Sequence, residues 1–262
     1  MADEHKFPYP TEVIDLPSKG LIYPEDNPLS SGVLTLRYMT ARDEDILTSQ
    51  NLIQKGIVID ELLKSVIVDE INYNDLFVGD KNAIMIATRI FGYGKDYKVE
   101  VKCPACSENN KVNLDLTLLD AREVDVSLLN RENSFEYTLP QTKRVLTFKL
   151  LTHKDEKEIN SKIQSIKNYN KKINKKDIVS QELSIRFKQM ILAIDGDFDV
   201  HSINNFVDKE FLSIDTKEFR KHIKIMSPDI DMTLPYTCPE CGETSMITMP
   251  MTVGFFWIDT EV

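Results

Sequence analysis

The amino-acid sequence predicts an α+β fold of two similar lobes, each built from a strand, several helices and a β-hairpin, joined by a four-cysteine site of the zinc-ribbon type. Three observations lead to this prediction. Stretches that alternate polar and apolar residues are followed by helical stretches with capping residues. The order of these stretches is similar in both halves of the chain. Each half ends with a Cys-Pro-x-Cys sequence flanked by β-favouring residues.

Composition limits the classes of protein that fit. The chain has 262 residues, of which 42% are hydrophobic, and can therefore bury a sizeable core. Its net charge of −10 argues against a general nucleic-acid binder, which needs a basic face to neutralise phosphates. No run approaches the roughly 18 apolar residues that cross a bilayer, and the first residues lack an apolar signal core. We therefore expect a cytosolic protein without a membrane span.

Residues 1–31 are predicted to form an extended, proline-rich N-terminal arm. Its five prolines fix φ repeatedly and favour extended geometry in the residues that precede them. An arm that is apolar at intervals suits either the surface of a neighbouring protein or its own domain, and the sequence leaves both open. The candidate partner contacts in the arm are Phe7, Tyr9, Leu21 and Tyr23.

The first lobe is predicted over residues 32–120. It begins with a strand over Gly32–Thr40, whose residues alternate in polarity. Thr40 is a predicted helix N-cap, with Asp43 in the capping-box position. We expect the helix that starts there to continue without a break until Gly56 ends it.

Two more helices and a hairpin complete the predicted first lobe. The helices cover about residues 60–69 and 79–94, and the second is predicted to be capped by Asp80. The alternating stretches 97–102 and 111–116 are the predicted strands of a hairpin whose tip carries the first cysteine pair.

The second lobe is predicted over residues 121–262. Leu146–Ile159 lines up with Leu34–Leu47, including a second Thr-x-x-Asp-Glu sequence that begins at Thr152. An internal duplication explains this order best, although strand-helix order also recurs by coincidence. The second lobe contains an inserted lysine-rich stretch, residues 167–176, which suits a solvated loop or a binding patch.

The C-terminal segment contains the single tryptophan of the chain. Val253, Phe255 and Trp257 place large apolar side chains at every second position, which predicts a final strand. This strand is either buried in the core or paired with a partner protein. The candidate partner contacts here are Phe255, Phe256 and Trp257.

The four cysteines are the main candidates for a chemical site. They are Cys103, Cys106, Cys238 and Cys241. A structural zinc ion needs four thiolate or imidazole ligands, and each Cys-x-x-Cys turn supplies two. The 131 residues between the pairs exceed ordinary zinc-finger spacing, but a duplicated unit would bring both pairs to one ion. A redox dithiol and a site that no longer binds metal are the alternatives, and neither pair opens a helix as a redox motif would.

No other stretch predicts catalysis. The chain lacks a glycine-rich phosphate loop and a recognisable nucleophile motif, and its four histidines lie away from the cysteine pairs. Ala193–Asp199 lacks the full length and closing Glu of a calcium loop and predicts an Asp/Gly turn. A site filled by four cysteines offers no open position to a substrate. We therefore expect a protein that is not an enzyme and has no small-molecule substrate.

Three stretches of the first half resemble the base plate proteins of T4-like contractile-tailed phages. They are LPSKGLIYP (Leu16–Pro24), LRYMTARDEDIL (Leu36–Leu47) and GDKNAIMIATRIFGYGKDYKVEVKCPAC (Gly79–Cys106). The resemblance covers roughly residues 14 to 120 well and the second half loosely. That family includes baseplate hub and hub-assembly proteins.

The resemblance implies a structural or assembly role around the central hub of the tail baseplate, with other phage baseplate and hub proteins as partners. It implies a location in the virion tail baseplate, or in the host cytoplasm during assembly. A zinc-ribbon nucleic-acid-binding or transcription factor is the alternative, because Lys98, Lys102 and Lys111 lie near the first cysteine pair. The second pair has no such basic neighbours.

Overall fold

The computed structural model describes residues 9–172, 181–251 and 253–257. Phe7 and the end of the lysine-rich stretch therefore lie outside the described residues. Within these ranges the chain has a mixed α+β fold with small antiparallel sheets, which confirms the α+β part of the predicted fold class. The two duplicated lobes stay a prediction. No helix in the described ranges is long and apolar enough to cross a bilayer.

The strands pair only as antiparallel neighbours in the described chain, in the sheets β1–β2, β3–β4, β5–β6–β7 and β8–β9. Their bounds are β1 (Thr11–Asp15), β2 (Val33–Arg37), β3 (Asp96–Lys102), β4 (Asn109–Asp115), β5 (Phe135–Thr138), β6 (Val145–Phe148), β7 (Ile191–Ile194), β8 (Thr233–Thr237) and β9 (Thr244–Thr248).

Helices lie between these sheets in chain order. Their bounds are α1 (Ala41–Thr48), α2 (Gln50–Lys55), α3 (Val58–Val66), α4 (Val78–Tyr93), α5 (His153–Lys172), α6 (Glu182–Met190), α7 (Val200–Asn205) and α8 (Ser213–Met226).

The first predicted helix is divided in two. The capping box at Thr40 is confirmed, because the Thr40 N–H and hydroxyl both donate to Asp43 Oδ2, at 2.7 and 2.8 Å. Gly56 ends α2 with a φ of 69°, as predicted. The expectation of one continuous helix is wrong, because Ser49 has an extended backbone that separates α1 from α2.

The described part of the N-terminal arm, residues 9–31, packs on its own domain. β1 pairs with β2 over its full length, from Thr11 opposite Arg37 to Asp15 opposite Val33. Four apolar side chains of the arm are buried in the core: Leu16, Ile22, Tyr23 and Leu29.

Asp80 fastens this arm to α4. The prediction that Asp80 caps the helix is wrong, because Phe77 is the N-cap and Asp80 lies in the first turn. The fully buried Asp80 carboxylate accepts hydrogen bonds from the Tyr23 hydroxyl, at 2.6 Å, and from the Ser18 N–H, at 2.9 Å. Its charge is also favourable at a helix N-terminus. Burial raises the pKa of this carboxyl group.

The C-terminal segment does not form the predicted strand. Val253–Phe255 is a 3₁₀ turn that places Phe255 and Phe256 in the core. The strand prediction is therefore wrong. The apolar residues that suggested a strand form a turn whose two aromatic side chains are buried.

Two hydrophobic cores support these elements. The first core lies between the arm, the β1–β2 and β5–β6–β7 sheets, α6 and α8. The second lies between α3, α4, the two cysteine hairpins and the C-terminal turn. Both cores contain residues from each side of position 120, and the division at 120 into two lobes stays a prediction.

Candidate metal centre

The first cysteine hairpin consists of β3 and β4. Every second residue of β3 is buried, so Tyr97, Val99 and Val101 lie on one face and the strand period carries Cys103 to the same side. The cross-strand pair Val101–Asn110 places the buried Asn110 on that face as well.

The second hairpin, of β8 and β9, repeats this arrangement. Leu234 and Tyr236 are buried, and the same period carries Cys238 to the buried side. The cross-strand pair Tyr236–Ser245 corresponds to Val101–Asn110 of the first hairpin. The inward faces of both hairpins belong to one core.

Both cysteine turns have the same backbone hydrogen bonds. The Cys103 N–H donates to the Glu108 carbonyl at 2.8 Å, and the Ser107 N–H donates to the Cys103 carbonyl at 2.9 Å. In the second turn the N–H groups of Cys238 and Gly242 make the corresponding bonds, both at 2.9 Å. The last residue of each turn is left-handed, with φ of 65° at Ser107 and 73° at Gly242.

The two turns bring all four sulfur atoms together. The four Sγ atoms lie within 4.8 Å of one another. Across the hairpins, Cys103 and Cys241 are 3.9 Å apart, and Cys106 and Cys238 are 3.7 Å apart. A regular tetrahedron with Zn–S bonds of ~2.3 Å has S···S edges of ~3.8 Å. The donor set and its spacing therefore fit a tetrahedral zinc ion.

The cluster is buried on one side and open on the other. Cys103 and Cys238 are buried, while Cys106 and Cys241 are exposed. Burial alone would raise the pKa of the Cys238 thiol, but hydrogen bonds from nearby backbone N–H groups and from the Tyr236 hydroxyl lower it to about 6. Backbone hydrogen bonds at Glu108 and Glu243 act to lower the pKa of Cys106 and Cys241, but burial and the neighbouring cysteines raise both. The thiolate form that metal ligation requires is therefore favoured at Cys238.

Polar groups beside the sulfurs differ between the hairpins. The Asn110 amide donates to the Tyr236 oxygen at 2.9 Å and to Cys238 Sγ at 3.5 Å. The residue at the corresponding position of the second hairpin is Ser245. Its buried hydroxyl has no hydrogen-bond partner among the described residues. A polar surrounding of this kind suits a charged thiolate cluster, whose sulfurs accept hydrogen bonds.

The C-terminal turn closes the core beneath the hairpins. Phe255 contacts Tyr97 edge to face, with ring centroids 5.2 Å apart. The Tyr97 hydroxyl donates to the Pro250 carbonyl at 3.1 Å. Trp257 Nε1 donates to the Leu47 carbonyl at 2.9 Å and so ties the segment to α1. The hairpins are therefore held at one end by this turn and at the other by the cysteine cluster.

The candidate partner residues occupy different environments. Tyr9 is exposed, Leu21 and Trp257 are half-buried, and Tyr23 is fully buried. Phe255 and Phe256 are also buried. Contact of the buried side chains with a partner would require the chain to release them from its own core, and partner binding by this set stays a prediction.

Sequence reasoning missed a second polar cluster at the start of α5. His153 is buried there and its Nε2 lies 3.6 Å from the Asp60 carboxylate. Lys81 Nζ pairs with the same carboxylate at 2.5 Å, and the Tyr73 hydroxyl donates to it at 3.1 Å. Burial and the neighbouring Lys81 ammonium lower the pKa of His153. The four residues share no local motif, so the sequence gives no signal for this cluster.

The fold and the site define an α+β protein whose two cysteine hairpins meet at one four-sulfur cluster. The chain matches the T4 bacteriophage base plate protein family over residues 13–257 and belongs to that family. The match confirms the resemblance seen in the first half and extends it through the second cysteine pair. Comparisons with curated proteins and with solved structures give no significant match.

Proposed function

We propose that this protein is a structural or assembly component of the hub region of a phage tail baseplate, and that it acts through protein–protein contacts. The family match over residues 13–257 carries this proposal. A family of structural baseplate proteins implies a non-enzymatic role. A cluster in which four cysteines occupy every tetrahedral position adds no site for a substrate.

The cysteine cluster is proposed as a structural zinc site with Cys103, Cys106, Cys238 and Cys241 as ligands. The S···S distances and the matched turns support this assignment. Zinc would supply a cross-link between two hairpins whose cysteine pairs are separated by 131 residues. Because the unfolded chain has no preformed site, the free energy of metal binding would stabilise the folded state.

We also infer that the two halves arose by internal duplication. The second Thr-x-x-Asp-Glu sequence has the same capping hydrogen bonds as the first, from the Thr152 N–H and hydroxyl to Asp155. In each copy a basic residue six positions before the capping-box aspartate forms an ion pair with it. Arg37 pairs with Asp43 in the first copy, and Lys149 pairs with Asp155 in the second. The identical cysteine turns support the same inference.

The nucleic-acid alternative gains no support from the charges at the hairpins. The outward face of the first hairpin carries three lysines, but three carboxylates share it. These six residues are Asp96, Lys98, Glu100, Lys102, Lys111 and Asp115. The balanced charge does not provide the basic surface that phosphate binding needs.

A mass-spectrometric inventory of purified tails and of tail-assembly intermediates tests the proposed function. A baseplate component retained in the virion is expected in both samples, and an assembly factor in the intermediates only. Absence of the protein from both samples would contradict the proposal. The same inventory decides between the finished virion and the host cytoplasm as the place where the protein acts.

A further inference from the structure

The side-chain hydrogen bonds around the four sulfurs are asymmetric. The amide of Asn110, a buried residue of the first hairpin, donates to two groups of the second hairpin: Tyr236 Oη at 2.9 Å and Cys238 Sγ at 3.5 Å. Because Tyr236 Oη accepts from Asn110, its own proton is free to point elsewhere, and the Tyr236 hydroxyl hydrogen-bonds to the same sulfur. Cys238 therefore accepts hydrogen bonds from side chains of both hairpins.

The second hairpin does not return this contact. Its cross-strand pair Tyr236–Ser245 corresponds to Val101–Asn110 of the first hairpin. The reverse contact would join Ser245 to Val101 and Cys103, but the valine has no polar group to take part in it. The buried Ser245 hydroxyl has no hydrogen-bond partner among the described residues. Only one side of the cluster therefore has this arrangement.

Burial does not account for the difference between the two sides. Cys103 and Cys238 are each 1% exposed, so little water reaches either sulfur. Four thiolates carry two more negative charges than a zinc ion neutralises, and donors beside a sulfur take up part of this excess. Asn110 and Tyr236 do so for Cys238, whereas the residues at the matching positions provide no such donor for Cys103.

We propose that Asn110 and Tyr236 are positioning residues of the zinc centre, which fix Cys238 Sγ at its ligand position and offset the charge of its thiolate. This inference rests on the proposed zinc site. Asn110 belongs to one hairpin and Cys238 to the other, so the same contact aligns the two hairpins before the ion binds. Without this contact, part of the free energy of zinc binding would be spent on that alignment, and the affinity would fall.

Removal of the Asn110 amide tests the proposal. Asn110→Leu replaces the amide by an apolar group of similar size, and Ser245→Ala is the matched control at the corresponding position of the second hairpin. Competition with a chromophoric chelator measures the zinc affinity of each variant. We expect Asn110→Leu to bind zinc roughly tenfold to a hundredfold more weakly than the wild type, and Ser245→Ala to stay within about twofold.

The absorption spectrum of the cobalt-substituted protein separates an effect on the sulfur from an effect on folding. A hydrogen bond lowers the energy of the sulfur lone pairs, so its loss should shift the thiolate-to-cobalt charge-transfer band to longer wavelength. We expect this shift in Asn110→Leu and not in Ser245→Ala. Tyr236→Phe should show the same shift and weaker zinc binding, because it removes the hydroxyl and keeps the buried ring. If Asn110→Leu does not fold, both measurements on Tyr236→Phe decide.

Three results distinguish the proposal from its alternatives. Unchanged zinc affinity in Asn110→Leu, or an equal loss in Ser245→Ala, would overturn it. Weaker zinc binding with an unshifted cobalt band in Asn110→Leu and Tyr236→Phe would assign these residues to folding alone and would overturn it as well. A wild-type chain that binds neither zinc nor cobalt would mean instead that the proposed zinc site itself has failed.

Discussion

Ser107 and Gly242 occupy the same position in the two cysteine turns, and both are left-handed. A residue with a Cβ atom pays roughly 1–2 kcal/mol for this conformation, whereas glycine does not. A Cβ atom at Gly242 would meet no atom within 4 Å, so only the backbone conformation distinguishes the two residues there.

We therefore expect Gly242→Ala to lower the free energy of unfolding by about 1 kcal/mol, and Ser107→Gly to raise it by roughly 0.5 kcal/mol, in urea titrations of the metal-loaded protein. Opposite changes in the free energy of unfolding, or no change in either variant, would show that the left-handed backbone conformation at this position does not affect stability.

Tyr23 is the residue that fastens the arm. Its hydroxyl donates to Asp80 and accepts from the Phe77 N–H at 3.1 Å, and all three groups are buried. Tyr23→Phe leaves the carboxylate and the N–H without this partner, which should cost about 2 kcal/mol of unfolding free energy. Tyr9→Phe is the control, because Tyr9 is exposed and its change should stay within about 0.5 kcal/mol. Equal stabilities of the two variants in urea unfolding would contradict the role given to Tyr23.

At the scale of elements, the capping boxes join each strand to the helix that follows it. Burial would raise the pKa of Asp43, but hydrogen bonds from Arg37, Ser65 and Thr40 hold it well below its usual range. The pKa of Asp155 is lowered in the same way, by Gln189, Lys149 and Thr152 against the effect of burial.

A carboxyl group whose folded pKa is depressed stabilises the protein above its unfolded pKa of about 4, and that contribution is lost as the pH falls further. Asp43→Asn should therefore destabilise the protein by about 2 kcal/mol at pH 7, and by progressively less at acidic pH. Urea unfolding of the wild type and the variant at the same pH measures the difference between their free energies of unfolding. Any acid-induced loss of metal affects both proteins and cancels in this difference. A difference that stays constant below about pH 4 would contradict this account.

Gly79 permits the close approach of α4 to the segment that precedes β8. A Cβ atom at Gly79 would clash with the backbone carbonyl of Pro228, whereas one at Gly92 in the same helix would meet the flexible side chain of Met39. We expect Gly79→Ala to lower the free energy of unfolding by about 3 kcal/mol and Gly92→Ala to change it by less than about 1 kcal/mol. Similar values for the two variants in chemical denaturation would contradict a tight backbone contact at Gly79.

Local chemistry made part of this molecule predictable. The capping box at Thr40, the glycine stop at Gly56 and the cysteine turns depend on residues a few positions apart, which sequence patterns report well. The clustering of the cysteines could be predicted only because the two halves could be compared.

Features that depend on distant partners could not be predicted in this way. Asp80 resembles a helix cap in sequence, but its main partner, Tyr23, lies 57 positions away. Ile191–Ile194 follows α6 without a break and becomes strand β7 because it pairs with β6. The aromatic C-terminal residues form a turn because the core of the cysteine hairpins takes up Phe255 and Phe256.

At the scale of the whole molecule, the account requires that both hairpins hold the same metal ion. A shared site has a distinctive consequence: loss of one cysteine from either hairpin should release the ion to a chelator, because the three remaining thiolates bind zinc more weakly than the complete set of four. If each hairpin instead held its own ion, loss of a cysteine from one hairpin would leave the ion of the other hairpin in place.

Metal analysis combined with thiol counting tests this claim most directly. We expect about one zinc per chain in the wild type and in the control Tyr9→Phe, and less than about 0.1 zinc per chain in Cys103→Ser and in Cys238→Ser after dialysis against a chelator. A folded wild-type protein that holds no zinc and has four freely reactive thiols would contradict the account, as would retention of zinc by either cysteine variant.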